Sequence, residues 1–185
     1  MAGRRTDTRE RIQQVALELF AERGYDKTTL QEVAERLEIT RPALYYHFRT
    51  KEAILASVVD RLVESIDELV EWARRQPKTP ESRREVLGRI AELLEHRWRP
   101  LFQFAQLNQG VIKEIPAGER LQEGMLGMLS VLAEPGDDTV RQFEARLAVF
   151  AVILGSVPFL FDMELPESER TAVALQVATK LISEN

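Results

Sequence analysis

The chain has 185 residues, with 25 Lys and Arg against 30 Asp and Glu for a net charge of -5, and no cysteine. That length suits one domain, or a small domain joined to a larger one, and it is enough to bury most of the apolar surface. The missing cysteines exclude disulfides, thiolate nucleophiles and cysteine-held metals. MAGRR at the start is followed by the polar TDTRERIQQ, so no secretory signal is expected and the cytoplasm is the expected compartment.

Reading along the chain, Ile12, Val15, Ala16, Leu19 and Phe20 recur at helical spacing and Gly24 follows as a C-terminal cap, which predicts a first helix. Thr29-Leu30-Gln31-Glu32 is a capping box, and Val33, Ala34 and Leu37 supply the apolar face of a short second helix. Thr40 caps a third helix whose first turn accepts Pro42, with Leu44 and Phe48 facing inward. Thr50 then caps a long fourth helix carrying Ile54, Leu55, Val58, Leu62, Ile66 and Leu69, which runs to the breaker QPKTP at 76–80. Further helices are expected over 81–99, ended by Pro100, then 101–108, 118–133, 138–162 and 166–183. No alternating strand pattern interrupts them, so the fold class is all-α.

Between 147 and 161 the chain reads LAVFAVILGSVPFLF, fifteen uncharged residues. A membrane span needs about 20, and Gly155 and Pro158 interrupt this run. It is expected to be a helix buried on all sides, in a core or in a subunit interface, with no membrane involved.

Charge is unevenly distributed. Up to Lys51 there are ten basic and eight acidic residues, leaving fifteen basic and twenty-two acidic beyond it. The run TRPALYYHFRTK at 40–51 holds three fixed positive charges and no carboxylate, whereas 28–39 holds three glutamates and one arginine. Two short helices joined by a tight turn and preceded by a longer packing helix match the helix-turn-helix arrangement, whose second helix enters the major groove. The charges select 40–47 as the recognition helix, because phosphate would repel the helix before it. Arg41, near the helix start, is the candidate for a bidentate contact with guanine. Thr28, Thr29 and Thr40 sit at helix starts, where hydroxyls and free N–H groups suit phosphate, although plain capping would look the same. His47 is open between a DNA contact and packing.

GYDKTTLQEVAERLEITRPALYYHFRTKEAIL, residues 24–55, resembles the DNA-binding domain of the tetracycline-repressor-like (TetR) family of bacterial transcription regulators. The resemblance extends over residues 7–58, including LFAERGY and KEAIL. Glu38 departs from it, standing at a turn position that is often glycine in that family. The resemblance implies a DNA-binding domain over 1–51 and a helical ligand-binding and dimerisation domain over 52–185. It implies a homodimer that binds a two-fold duplex DNA operator, most simply as a repressor, and leaves it when a small molecule enters the second domain. Tyr45 and Tyr46 match family positions that contact the DNA backbone, with Ala43 on the same helix, and Lys51 matches a phosphate contact.

The resemblance also implies that the last two helices form the dimer interface, with Leu147, Leu154, Val157, Phe161, Ala174, Ala178 and Leu181 as the candidates. Expected pocket residues are Trp72, Trp98, Phe102, Phe104, Met125, Met128, Phe150 and Phe159, with Gln103, Gln106 and Asn108 as polar handles. An aromatic, methionine-rich lining points to an apolar or amphipathic ligand. No enzyme motif is present: there is no H-E-x-x-H, no G-x-S-x-G and no phosphate-cradling glycine loop, and His47 and His96 are the two histidines. Neither cofactor nor metal is expected. The readings left open are a DNA-binding regulator without an inducer and, further off, a small helical enzyme.

Overall fold

The computed structural model describes residues 2–108, 111, 118–156 and 165–183, and these are helical with short connections. Nine α-helices follow in order among the described residues: α1 Ala2–Arg23, α2 Leu30–Arg36, α3 Arg41–His47, α4 Lys51–Arg74, α5 Pro80–Glu92, α6 Arg99–Leu107, α7 Gly118–Leu129, α8 Thr139–Ser156 and α9 Glu167–Ser183. The chain divides into two compact units, Met1–Leu62 with Pro100–Glu119, and Val63–Arg99 with Arg120–Asn185.

In the first unit α1 ends where its periodicity stops. Gly24 takes φ +89°, and its N–H reaches the Phe20 carbonyl at 3.0 Å, a left-handed cap that glycine adopts without steric cost. The capping box then starts α2 as expected: Glu32 N–H donates to Thr29 Oγ1 at 3.2 Å, and Thr29 N–H donates to the Glu32 carboxylate at 2.7 Å. The core is made of Ile12, Ala16, Leu19 and Phe20 from α1, Val33 and Ala34 from α2, Leu44 from α3, Phe48 just beyond it, and Ile54, Leu55 and Val58 from α4, all buried. Each large apolar side chain so buried contributes about 1.5–3 kcal/mol. Phe104 of α6 completes this core, with ring centroids 5.7 Å from Phe20 and 5.8 Å from Tyr25. Phe104 was expected in a ligand pocket. Its aromatic neighbours instead fix it in the core of the first unit.

A polar seam joins α1 to α4. Gln13 Nε2 donates to Ser57 Oγ at 2.8 Å, Ser57 Oγ donates to the Ile54 carbonyl at 2.7 Å, and Arg61 donates to Gln13 Oε1 at 3.1 Å. Arg61 also pairs with Glu10 at 3.0 Å. Each buried polar atom in the seam thereby has a partner, which removes the cost of desolvating it.

The turn between α2 and α3 is a Schellman closure. Ile39 N–H donates to the Ala34 carbonyl at 3.0 Å and Glu38 N–H to the Glu35 carbonyl at 3.1 Å, with Glu38 in the left-handed region at φ 55°. A side chain there costs about 1–2 kcal/mol. Replacing Glu38 with glycine is therefore expected to raise stability by about 0.5–1 kcal/mol, despite glycine's greater unfolded-state entropy. A urea titration should show a higher midpoint at unchanged slope; a lower midpoint would mean that the glutamate side chain itself stabilises the turn.

In the second unit, glycines set helix contacts. A β-carbon at Gly155 of α8 would overlap Ala174 Cβ of α9 and lie 3.0 Å from the Arg170 carbonyl oxygen. One at Gly124 of α7 would lie 3.2 Å from Ile66 Cγ2 of α4. α5 packs against both α8 and α9, through its buried residues Val86, Leu87, Ile90 and Ala91.

Two expectations change here. The helix predicted to run to residue 99 and end at Pro100 stops earlier, at Glu92, and widens into a π-helical segment over Leu93–Arg97. Pro100 lies in the first turn of α6, where its missing N–H has no intrahelical partner to lose. The helix expected to be buried on all sides, in a core or in a subunit interface, is buried by its own chain along one side, through Ala145, Ala148, Val149, Val152 and Ile153, while Phe143, Leu147 and Phe150 are exposed on the single chain, so of the two alternatives the core of one chain does not hold. Residues 157–162 of that expected helix lie outside the described residues. No described helix is long and apolar enough to cross a membrane.

Candidate nucleic-acid interface

α3 is short, and its ends are fixed by what the sequence supplies. Thr40 Oγ1 accepts the Ala43 N–H at 3.4 Å, and Phe48 N–H closes the far end on the Leu44 carbonyl at 2.9 Å. Leu44 and Phe48 point into the core. The opposite edge consists of Arg41, Pro42, Ala43, Tyr45 and Tyr46, all exposed. Tyr46 is 66% exposed.

Side chains on this edge are already oriented. Arg41 Nη2 donates to Tyr45 Oη at 3.2 Å, with its guanidinium 5.2 Å from the Tyr45 ring centroid. The His47 ring meets Tyr46 edge-on at 5.4 Å, and it is half-buried. The Thr40 hydroxyl spends an acceptor position on Ala43 and keeps its own proton for an outside acceptor. Arrayed on one edge are a forked cation, two phenols and a hydroxyl, groups that suit phosphate oxygens and base edges.

The threonines before α2 are placed differently from Thr40. Thr28 is buried, its hydroxyl donating to the Gly24 carbonyl at 2.9 Å and the Leu19 carbonyl at 3.3 Å. In this conformation it ties the end of α1 to the start of α2 and does not face outward as the sequence reading expected. Thr29 is exposed, but its N–H and hydroxyl both donate to Glu32. Those bonds, the Thr29 backbone N–H foremost, hold the Glu32 carboxyl below its usual range, so the box is intact above that range and loosens as pH falls through the lowered value.

Lys51, expected as a phosphate contact, is also tied to the chain itself. Its Nζ donates to the Tyr25 carbonyl at 2.6 Å and lies 4.5 Å from the Tyr25 ring centroid. The Tyr25 hydroxyl in turn donates to Glu52 at 2.9 Å. Glu52 sits in the first turn of α4, and hydrogen bonding to its own backbone N–H is the main cause holding its carboxyl below the usual range. Lys51 and Glu52 thus clamp the α1–α2 turn onto the start of α4. Arg49 and Lys27, which the sequence reading did not single out, are both exposed; the signal for Arg49 lay in the same carboxylate-free run.

In the second unit, α4 and α5 with the segment after it border a cavity of about 580 Å³, lined by Ser65, Glu68, Leu69 and Trp72 and by Arg89, Glu92 and Leu93. The Arg89 guanidinium stands 3.7 Å from the Trp72 ring centroid and pairs with Glu85 at 3.0 Å. Of the expected pocket residues, Trp72 lines this cavity. Trp98 and Met128 are buried and do not line it, Phe102 and Met125 are half-buried, and Gln103 and Phe150 are exposed. Asn108 Nδ2 donates to the Phe104 carbonyl at 3.0 Å. The Gln106 side chain and Phe159 lie outside the described residues.

The expected interface residues also separate. Ala174 and Ala178 are buried within the single chain, and Ala174 is the residue that a β-carbon at Gly155 would overlap. Leu154 and Leu181 are half-buried, and Leu147 is exposed. Val157 and Phe161 lie outside the described residues. The apolar side chains left uncovered on α8 are Val140, Phe143, Leu147 and Phe150, at spacings of three and four, with Val173 and Val177 on α9.

A short helix with an apolar inner edge and a cationic, phenolic outer edge, set after a tight turn from a capped helix, defines a helix-turn-helix protein of the nucleic-acid-binding class. Residues 12–58 match the family described as bacterial regulatory proteins, tetR family. The chain is 35% identical over 101 residues to the HTH-type transcriptional regulator AcrR of Shigella flexneri, a match covering 52% of this chain and 47% of that one. The chain spans about half the length of that relative, or less of others. Its fold is similar to that of a transcriptional regulator from Aquifex aeolicus, with a TM-score of 0.68 at 21% identity over 95% of this chain and 99% of the other. It is also similar in fold to the transcriptional regulator FadR of Bacillus subtilis solved in complex with stearoyl-CoA, with a TM-score of 0.58 at 17% identity over 95% and 98%.

Proposed function

We propose that this protein is a cytoplasmic transcription regulator, acting as a repressor, that binds duplex DNA as a homodimer through α3 and leaves it when a small amphipathic molecule binds the second unit. The observation that carries the reading is the outer edge of α3, where Arg41, Tyr45 and Tyr46 are exposed and no carboxylate accompanies them. Arg41 reads base edges, while Tyr45, Tyr46 and Thr40 hold phosphates and fix the register. Lys51 serves by clamping the α1–α2 turn and adds its charge at the first turn of α4.

The exposed α8 stripe supports the dimer, since an acidic protein gains nothing by leaving Phe143 62% exposed unless a second apolar surface covers it. Residues 52–185 supply the ligand-binding and dimerisation part of this reading. The FadR structure holds stearoyl-CoA, which supports a ligand role for the second unit here without indicating which ligand. α4 runs uninterrupted for 24 residues from Lys51 to Arg74, about 36 Å at 1.5 Å per residue, and includes Trp72 at the cavity. A ligand that favours one setting of this helix would weaken DNA binding by its differential affinity, about 1–3 kcal/mol.

The test is selection from a random duplex pool with the purified protein. The expected product is an inverted repeat whose half-sites lie about 34 Å apart, one helical turn. Recovery of unrelated sequences, or of single half-sites, would count against sequence-specific binding by a two-fold dimer.

A further inference from the structure

We infer that the α4–α5 cavity is a site for a hydrophobic organic cation, and that Arg89 is the chain's own competitor for it. The inference rests on the reading of the second unit as the ligand-receiving part and gives that ligand its charge. Trp72 offers an indole face, and the Arg89 guanidinium stands 3.7 Å from its centroid, well inside the distance of about 6 Å at which a cation is attracted to the ring. The face is therefore one that positive charge already occupies favourably.

The other lining groups have the same preference. Glu68, one turn before Trp72 on α4, and Glu92, one turn after Arg89, both border the cavity, and both are exposed. Among the described lining residues Arg89 is the one cation, and its charge is already matched by Glu85 at 3.0 Å, which leaves the two carboxylates to set the sign of the described lining. An anion would be repelled by both. A neutral apolar molecule would fill the space between Leu69 and Leu93 but use neither carboxylate. A cation with an apolar body satisfies all three features, and about 580 Å³ lies in the range of small-molecule sites. Arg89 and Glu85 are exposed, so on ligand entry the guanidinium can leave the indole face and stay paired with Glu85 in water.

The test uses tetraphenylphosphonium and tetraphenylborate, which share shape and apolar surface and differ in the sign of their charge, titrated calorimetrically into the full-length protein. Tetraphenylphosphonium is expected to bind at least ten-fold more tightly. The Glu68→Gln, Glu92→Gln double variant should lose at least five-fold in its affinity, and Trp72→Leu a similar factor. Arg89→Ala should bind it three- to ten-fold more tightly, because it removes both the competitor and the opposing charge. A purely structural arginine would not give that sign. Equal or tighter binding of tetraphenylborate, or weaker binding of tetraphenylphosphonium by Arg89→Ala, overturns the inference. Glu68, Arg89 and Glu92 are exposed, so those variants carry the test if Trp72→Leu fails to fold.

Release of the selected duplex is read separately. Tetraphenylphosphonium that binds as expected but leaves DNA binding unchanged upholds the cation site and refutes ligand-controlled DNA release. Release by tetraphenylborate and not by tetraphenylphosphonium upholds ligand control and overturns the cation site.

Discussion

Leu147→Arg is expected to convert the protein from dimer to monomer while leaving its helical content and thermal midpoint nearly unchanged. Leu147 is 37% exposed on the single chain and lies between Phe143 and Phe150 on the uncovered face of α8. In an isologous dimer each substitution appears twice, and each arginine would be desolvated without a partner. A loss of about 3 kcal/mol or more weakens association at least a hundred-fold. Sedimentation velocity at micromolar concentration reads the outcome, and Phe143→Arg should behave alike. Because both side chains are exposed before association, the folded monomer tolerates the charge. A variant that stays dimeric would place the interface elsewhere. Ala178→Arg would not be an equivalent test: Ala178, an interface candidate from the sequence, is fully buried in its own chain, so arginine there would unfold the monomer and say nothing of the dimer.

Gly155→Leu is expected to prevent stable folding of the second unit, and even Gly155→Ala should destabilise the protein by about 1–3 kcal/mol. The sign is diagnostic, because exchanging glycine for alanine inside an unencumbered helix stabilises it by about 1 kcal/mol. Here the new methyl would overlap Ala174 Cβ and press on the Arg170 carbonyl, so α8 and α9 would have to separate along a contact that buries Ala148, Val152 and Ala174. In a chain of this size each kcal/mol shifts the thermal midpoint by about 2–4 °C. Ala174→Gly in the Gly155→Ala background should recover part of the loss, since the two residues share one contact and their effects couple. A Gly155→Ala variant as stable as wild type would mean that the helices are not in close contact there.

What could be read from the sequence divides by the range of the interaction. The Thr29–Glu32 box, the Thr40 cap, the left-handed cap at Gly24 and the strained Glu38 turn all depend on residues within a few positions of each other, and such geometry repeats wherever the local pattern does. The outward face of α3 was legible for the same reason, since Leu44 and Phe48 define the inward side. Thr28 was misjudged because its partner Leu19 lies 9 residues back, and the bond from Lys51 to Tyr25, 26 residues back, was equally out of view. A sequence shows a lysine at a helix start, but not the carbonyl folded beneath it. The α8 and α9 stripes posed another ambiguity, because periodicity marks a face as apolar without saying whether its own chain or a second copy covers it. The cavity was the least legible: aromatics and methionines at helical spacing also fill cores, and Phe104 and Met128 do so here, while Glu68 and Glu92 read as ordinary surface charges until α4 and α5 place them on one cavity.

The central claim is that the outer edge of α3 binds DNA, and fluorescence anisotropy on the selected duplex across a salt series tests it most directly. Wild type is expected to lose affinity along a straight line of log affinity against log salt, with a slope near -0.9 for each phosphate neutralised. Tyr46→Ala should bind more weakly at every salt concentration with little change of slope, since it removes an uncharged phosphate contact. Arg41→Ala should lose about 1–3 kcal/mol and relax preference at particular base pairs. Both variants leave the buried side chains of α3 untouched, so the fold is preserved. Wild-type affinity and an unchanged slope in both would contradict the assignment of α3 as the DNA-reading surface.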